Sequence, residues 1–111
     1  MSNQKFKDCI DACVACAITC SNCATACLSE QDVKMMAKCI QLDLECAAVC
    51  RAAAELMSLG SEYSSHLCRI CADVCQACAA ECSQHEMEHC KACAEACRTC
   101  AEACEQMATA V

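Results

Sequence analysis

Residues 9–27 read CIDACVACAITCSNCATAC, with cysteines at 9, 13, 16, 20, 23 and 27. The steps between them are four, three, four, three and four residues. On an α-helix such steps keep returning to one face, so Cys9, Cys13, Cys16, Cys20, Cys23 and Cys27 form one stripe about 27 Å long. A coiled-coil seam puts Leu or Ile at these positions. This one puts sulfur there.

The pattern recurs further along. Cys68, Cys71, Cys75, Cys78 and Cys82 step by three, four, three and four, and Cys90, Cys93, Cys97, Cys100 and Cys104 repeat those steps. The gap of eight from Cys82 to Cys90 throws the two stripes out of phase. A tight turn is therefore expected between them, with Ser83-Gln84-His85-Glu86 as a capping box, although no Gly or Pro marks it. The second segment, 32–59, carries only Cys39, Cys46 and Cys50. Its inward stripe reads Met35 or Met36, Cys39, Leu42 or Asp43, Cys46, Cys50, Ala53, and Leu56 or Met57. Ser29-Glu30-Gln31-Asp32 has the spacing of a helix cap before it. Gly60, the only glycine, stands where a C′ residue belongs, and Ser61 is placed to cap the next helix.

Composition restricts the fold. One Gly, no Pro, no Trp, one Phe and one Tyr leave little for sheets or loop-rich scaffolds. At 111 residues the chain is read as one domain spanning 1–111. Four helices of similar length with short turns predict an all-α, antiparallel up-down-up-down bundle with a cysteine-lined core. The apolar line Ile10, Val14, Ala17 and Ala24 is expected to pack against a neighbouring helix. Lys7, Glu30, Arg51, Glu81, Glu95, Arg98 and Glu102 are expected to stay wet. Leu, Ile, Val and Phe total sixteen, too few to hold such a bundle by apolar burial alone.

Net charge is −7, which disfavours nucleic acid and anionic membranes and suits a protein that handles cations. No run of 18 uninterrupted apolar residues occurs and no secretory signal is evident, so a reducing, cytoplasmic compartment is expected. There, nineteen cysteines read as ligands. Pairs four apart sit about 5–6 Å apart at Cβ, too far for intrahelical disulfides but close enough to grip one ion. CxxC units on helices also differ from the loops that wrap iron–sulfur clusters. Soft sulfur donors select Cu(I) or Zn over hard cations. Charge favours Cu(I), because bridging thiolates and two-coordinate ions cancel one for one, whereas each tetrathiolate zinc keeps two negative charges. On that count the capacity is roughly 15–20 Cu(I) per chain.

Alternation of helices gathers Met35, Met36, His85, Met87 and His89 at one end, read as the mouth. Met57, Tyr63, His66 and Met107 fall at the other. His66 lies off the stripe, and Asp43 either tunes the tube or flanks it. No Ser-His-Asp set, phosphate loop or paired-carboxylate site appears, so no enzymatic activity is expected. A thiol-based zinc or mixed-metal buffer and a metal or redox sensor are the alternative functions.

The segments CIDACVACAITCSNC, CIQLDLECAAVC and HEMEHCKACAEACRTCAEAC together resemble the bacterial cytosolic copper storage proteins, over nearly the whole chain. That resemblance implies a four-helix bundle holding many Cu(I) ions, assembled as a homotetramer. It implies that all nineteen cysteines are site residues, with His85 and His89, and Met87 beside them, in the stretch before the last helix; from their place at the mouth, Met35, Met36 and Met87 are candidate ligands there. It implies storage and detoxification of copper, with a copper chaperone as a candidate partner.

Overall fold

The computed structural model describes residues 3–109, which form four helices: α1 Asn3–Cys27, α2 Ala37–Ser58, α3 Ser64–Cys82 and α4 Glu88–Thr109. α1 packs on α2 and α4, and α3 packs on the same two, so the helices enclose one axis in a molecule 46 × 18 × 17 Å. This is the expected up-down-up-down bundle.

The turns are set locally, not always by the residues first expected. Between α1 and α2 the Asp32 carboxylate accepts from the Met35 N–H at 3.3 Å and opens a 3-10 turn, Val33–Met36. α2 therefore starts at Ala37 rather than at residue 32. Gly60 has φ +67°, the left-handed region that only glycine adopts cheaply. There the Ser61 N–H reaches the Leu56 carbonyl at 3.0 Å and the Gly60 N–H the Met57 carbonyl at 3.1 Å, satisfying two helix-end acceptors. Ser61 does not cap α3. Its hydroxyl accepts from the Tyr63 N–H at 3.0 Å and forms the turn ahead of Ser64. Nor does Ser83 open α4: it donates to the Ala80 carbonyl at 2.9 Å and so closes α3. A hydroxyl next to a helix end serves whichever orphan backbone group lies nearer, and the spacing does not decide which.

All nineteen cysteines are free and buried. Among the described residues no Leu, Ile, Val or Phe is buried; the core is Cys, Ala, Met36, Met57, Met107 and Asp43. Small residues let the helices approach closely, and the larger aliphatics Ile10, Ile40, Leu42 and Val49 lie at the flanks. Val14 departs from expectation at 45% exposed: at i+4 from Ile10 it has already rotated past the groove. By hydropathy alone Gln4–Cys27 is apolar enough to cross a bilayer, at 1.4 over its best window. Cysteine contributes much of that value, and its stripe lies inside the bundle.

Candidate metal centre

The 3–4 repeat on α1, α3 and α4 delivers sulfur to the axis at every turn, α2 adds Cys39, Cys46 and Cys50, and the four helices merge those stripes into one column. Near the chain termini Cys104 stands 3.8 Å from Cys9 and 3.6 Å from Cys13. Cys100 continues the line at 3.6 Å from Cys13, and Cys50 at 3.8 Å from Cys100. Cys50 also meets Cys71 at 3.6 Å, and Cys46 meets Cys75 at 3.4 Å. Cys97 lies 3.8 Å from Cys16 and 3.6 Å from Cys20, which reaches Cys93 at 3.6 Å. Beyond them Cys39 meets Cys82 at 3.5 Å and Cys27 at 3.9 Å. Cys23 meets Cys90 at 3.9 Å.

Several quartets have all four sulfurs within 4.8 Å of one another, and they overlap. Cys16 and Cys46 belong both to the quartet with Cys50 and Cys75 and to that with Cys20 and Cys97. Cys20 and Cys97 belong in turn to the quartet with Cys78 and Cys93. Neighbouring sites thus share sulfurs, as bridging ligands do. Isolated four-coordinate sites would not.

Asp43 settles in the column. It occupies the α2 stripe between Cys39 and Cys46 and is fully buried, with Cys93, Cys78 and Cys82 donating to its Oδ1 at 3.1, 3.2 and 3.5 Å. Burial pushes its carboxyl up to about 10, helped by the Cys93 and Cys78 sulfurs. Burial likewise pushes the Cys90 thiol up to about 11 and Cys27 upward. At these three groups burial favours the protonated, neutral form, which suits a dry interior.

The mouth residues do not all converge. His89 faces the thiols, its Nδ1 lying 3.4 Å from Cys23, 3.6 Å from Cys90 and 4.0 Å from Cys27. Its Nε2 stands 3.0 Å from Glu30 Oε2. A carboxylate on one ring nitrogen leaves the other free to present a lone pair, the usual support of a metal-bound imidazole. His85 instead pairs through Nε2 with Glu81 at 2.9 Å, both side chains only 10% exposed, and contacts no thiol among the described residues. With Met35 and Met87 it lines a cleft of about 480 Å³. Met35 is 57% exposed, whereas Met36 is fully buried in the core. His66 is exposed, as expected.

Glu30 and Glu81, read as wet, are thus the histidines' partners. Glu81 precedes His85 by four residues, an i,i+4 pair that was legible. Glu30 is 59 residues from His89, and nothing local announces it.

The sequence matches the family described as Csp, copper storage protein, over residues 2–109. The chain belongs to the copper storage protein family. Solved structures agree. A cytosolic copper storage protein from Streptomyces lividans studied with five coppers is 41% identical, covering 97% of this chain and 95% of its own, at TM-score 0.93. The same organism's protein loaded with 10 copper equivalents is 41% identical over 97% of this chain and 86% of its own, also at 0.93. Metal-free copper storage protein 3 from Bacillus subtilis is 44% identical, over 93% of this chain and 98% of its own, at 0.86. No curated protein sequence matches significantly. Family membership and the sulfur column agree that the cargo is copper, held in numbers.

Proposed function

We propose that this chain, acting as one domain in the cytoplasm, stores Cu(I) on its nineteen cysteines and keeps it from adventitious chemistry. The overlap of the sulfur quartets carries the reading. Shared thiolates bridging two-coordinate ions give a neutral column with metal and sulfur near one to one. A tetrahedral zinc tetrathiolate has S–S edges of about 3.8 Å, so a single quartet fits zinc as well. Shared corners weigh against zinc, because even clustered zinc ions that bridge thiolates need more than two sulfurs each and leave negative charge buried. The chain carries no reaction in this reading. Loading replaces thiol protons, so copper is held less tightly as pH falls.

Zinc competition tests it. Zinc-loaded protein titrated anaerobically with Cu(I) is expected to release all its zinc while taking up several copper ions for each zinc lost. The helical circular dichroism should be preserved. Zinc that stays bound points to the buffer, and saturation at a few ions with a change of shape points to a sensor.

Met35, Met87, His85 and His89 form the proposed mouth. Replacing them together by Leu or Phe should slow uptake and chelator-driven removal severalfold, with capacity falling by no more than about one ion, the one His89 can help hold. A much larger loss would make them bulk sites. Val14 and Ile18, one turn apart on α1 and 45% and 56% exposed, are apolar surface of the kind further copies of the chain would cover in the expected homotetramer. A copper chaperone is the proposed partner for exchange at the mouth.

A further inference from the structure

An open column of bridging thiolates has an unsolved problem at each end. If every ion takes two sulfurs and every thiolate bridges two ions, a terminal ion has only one thiolate left to it. With ions at both ends the column carries one more copper than thiolate, so one added thiolate would balance it but a thiolate at each end would leave negative charge buried. A neutral soft donor completes the ion without that cost. At the mouth, His89 stands in that position.

At the opposite end we infer that Met57 fills the same role, as a thioether ligand sharing a terminal Cu(I) with Cys68. Met57 continues the α2 stripe past Cys50 and Ala53, and its side chain is 4% exposed. The Cys68 thiol, itself fully buried, points at its sulfur: Sγ to Sδ is 3.7 Å. Among the described residues this is the one thiol–thioether hydrogen bond. Met107, also buried, makes none. Cys104 and Cys9 are the sulfurs that act most strongly on the Cys68 thiol, so this level adjoins the sulfur column. On binding, Cys68 gives its proton to solvent, Met57 donates a sulfur lone pair, and copper stays Cu(I). The inference rests on the storage reading above.

Selenomethionine-labelled protein loaded anaerobically with Cu(I) tests it, by X-ray absorption at the selenium edge with total copper measured on the same sample. The expected result is a copper neighbour at bonding distance from selenium. Counted per protein, it should fall by one copper neighbour in Met57→Leu and equally in Cys68→Ser, which keeps all six methionines, and be unchanged in Met107→Leu. Met→Leu conserves volume, so both Met→Leu variants are expected to keep the bundle. An identical copper signal in wild type and Met57→Leu, or none in fully loaded wild type, overturns the inference while storage stands. Wild type that takes up only a few ions overturns the storage reading, and this inference with it.

Discussion

Filling the column with Cu(I) is expected to raise the thermal midpoint by more than about 30 °C, more than any single substitution can lower it. The metal-free bundle is weakly held for its length. Among the described residues the core consists of Cys, Ala, three Met and one Asp, and the Leu, Ile and Val side chains stay at the flanks or on the surface. Thiol–thiol contacts at 3.4 to 4.0 Å are soft interactions that replace the burial of large aliphatics. Each ion bound to the folded chain at a thousand times its Kd adds about 4 kcal/mol. Three such sites contribute about 12 kcal/mol, and at a few degrees per kcal/mol the shift reaches tens of degrees. Thiolates of the unfolded chain also bind copper, which reduces the gain per ion. They cannot bridge ions in a fixed column, so a large difference survives. Calorimetry of metal-free and loaded protein under anaerobic conditions reads the shift. A change of only a few degrees would mean that copper sits outside the core.

The second large effect comes from Asp43. Its folded-state carboxyl sits at about 10 against an ordinary 3.8, because burial disfavours the charged form. A group whose pKa is raised by folding supports the folded state fully below its unfolded value. That support is lost as pH climbs towards the folded value. Between about pH 4 and pH 10 the metal-free protein should therefore weaken steadily from this residue alone. At pH 7 the cost is of the order of 4 kcal/mol, from about three pH units at 1.36 kcal/mol each. Asp43→Asn keeps the shape and does not titrate. It is expected to stabilise the metal-free protein at pH 7 by up to about that amount, with the gain shrinking to nothing near pH 4. Denaturant unfolding of both proteins at pH 4, 7 and 9 measures it. A gain independent of pH would show that packing, not the proton, is responsible.

The four-residue and three-residue steps made the bundle legible, because a 3–4 repeat of one residue type fixes both the helix and its inward face. The burial of all nineteen cysteines follows from that phase. The same periodicity left neighbours on the stripe unresolved. Met36, Asp43 and Met57 turned inward, whereas Met35 is exposed and Leu42 only half-buried. A rotation of a few tens of degrees in α2 separates those choices, and it depends on the 3-10 turn at Val33–Met36 that no spacing announces. Residues brought together by the turns were the least legible. His89 meets the thiols and His85 does not, although they are one helical turn apart in sequence, because α4 begins only at Glu88 and leaves His85 in the connection beside Glu81. Glu30 reaches His89 only once the α1 and α4 ends are side by side.

The central claim is that sulfur gathered along one enclosed axis is neutralised by monovalent copper. Anaerobic titration of the reduced, metal-free chain against a Cu(I)-selective chelator, with elemental analysis and thiol quantitation, tests it most directly. Uptake of roughly 15–20 Cu(I) per chain, with the thiols losing their reactivity in step, is the expected result. Saturation at two or three ions, or thiols that react fully with an aqueous reagent while the bundle stays folded, would contradict it.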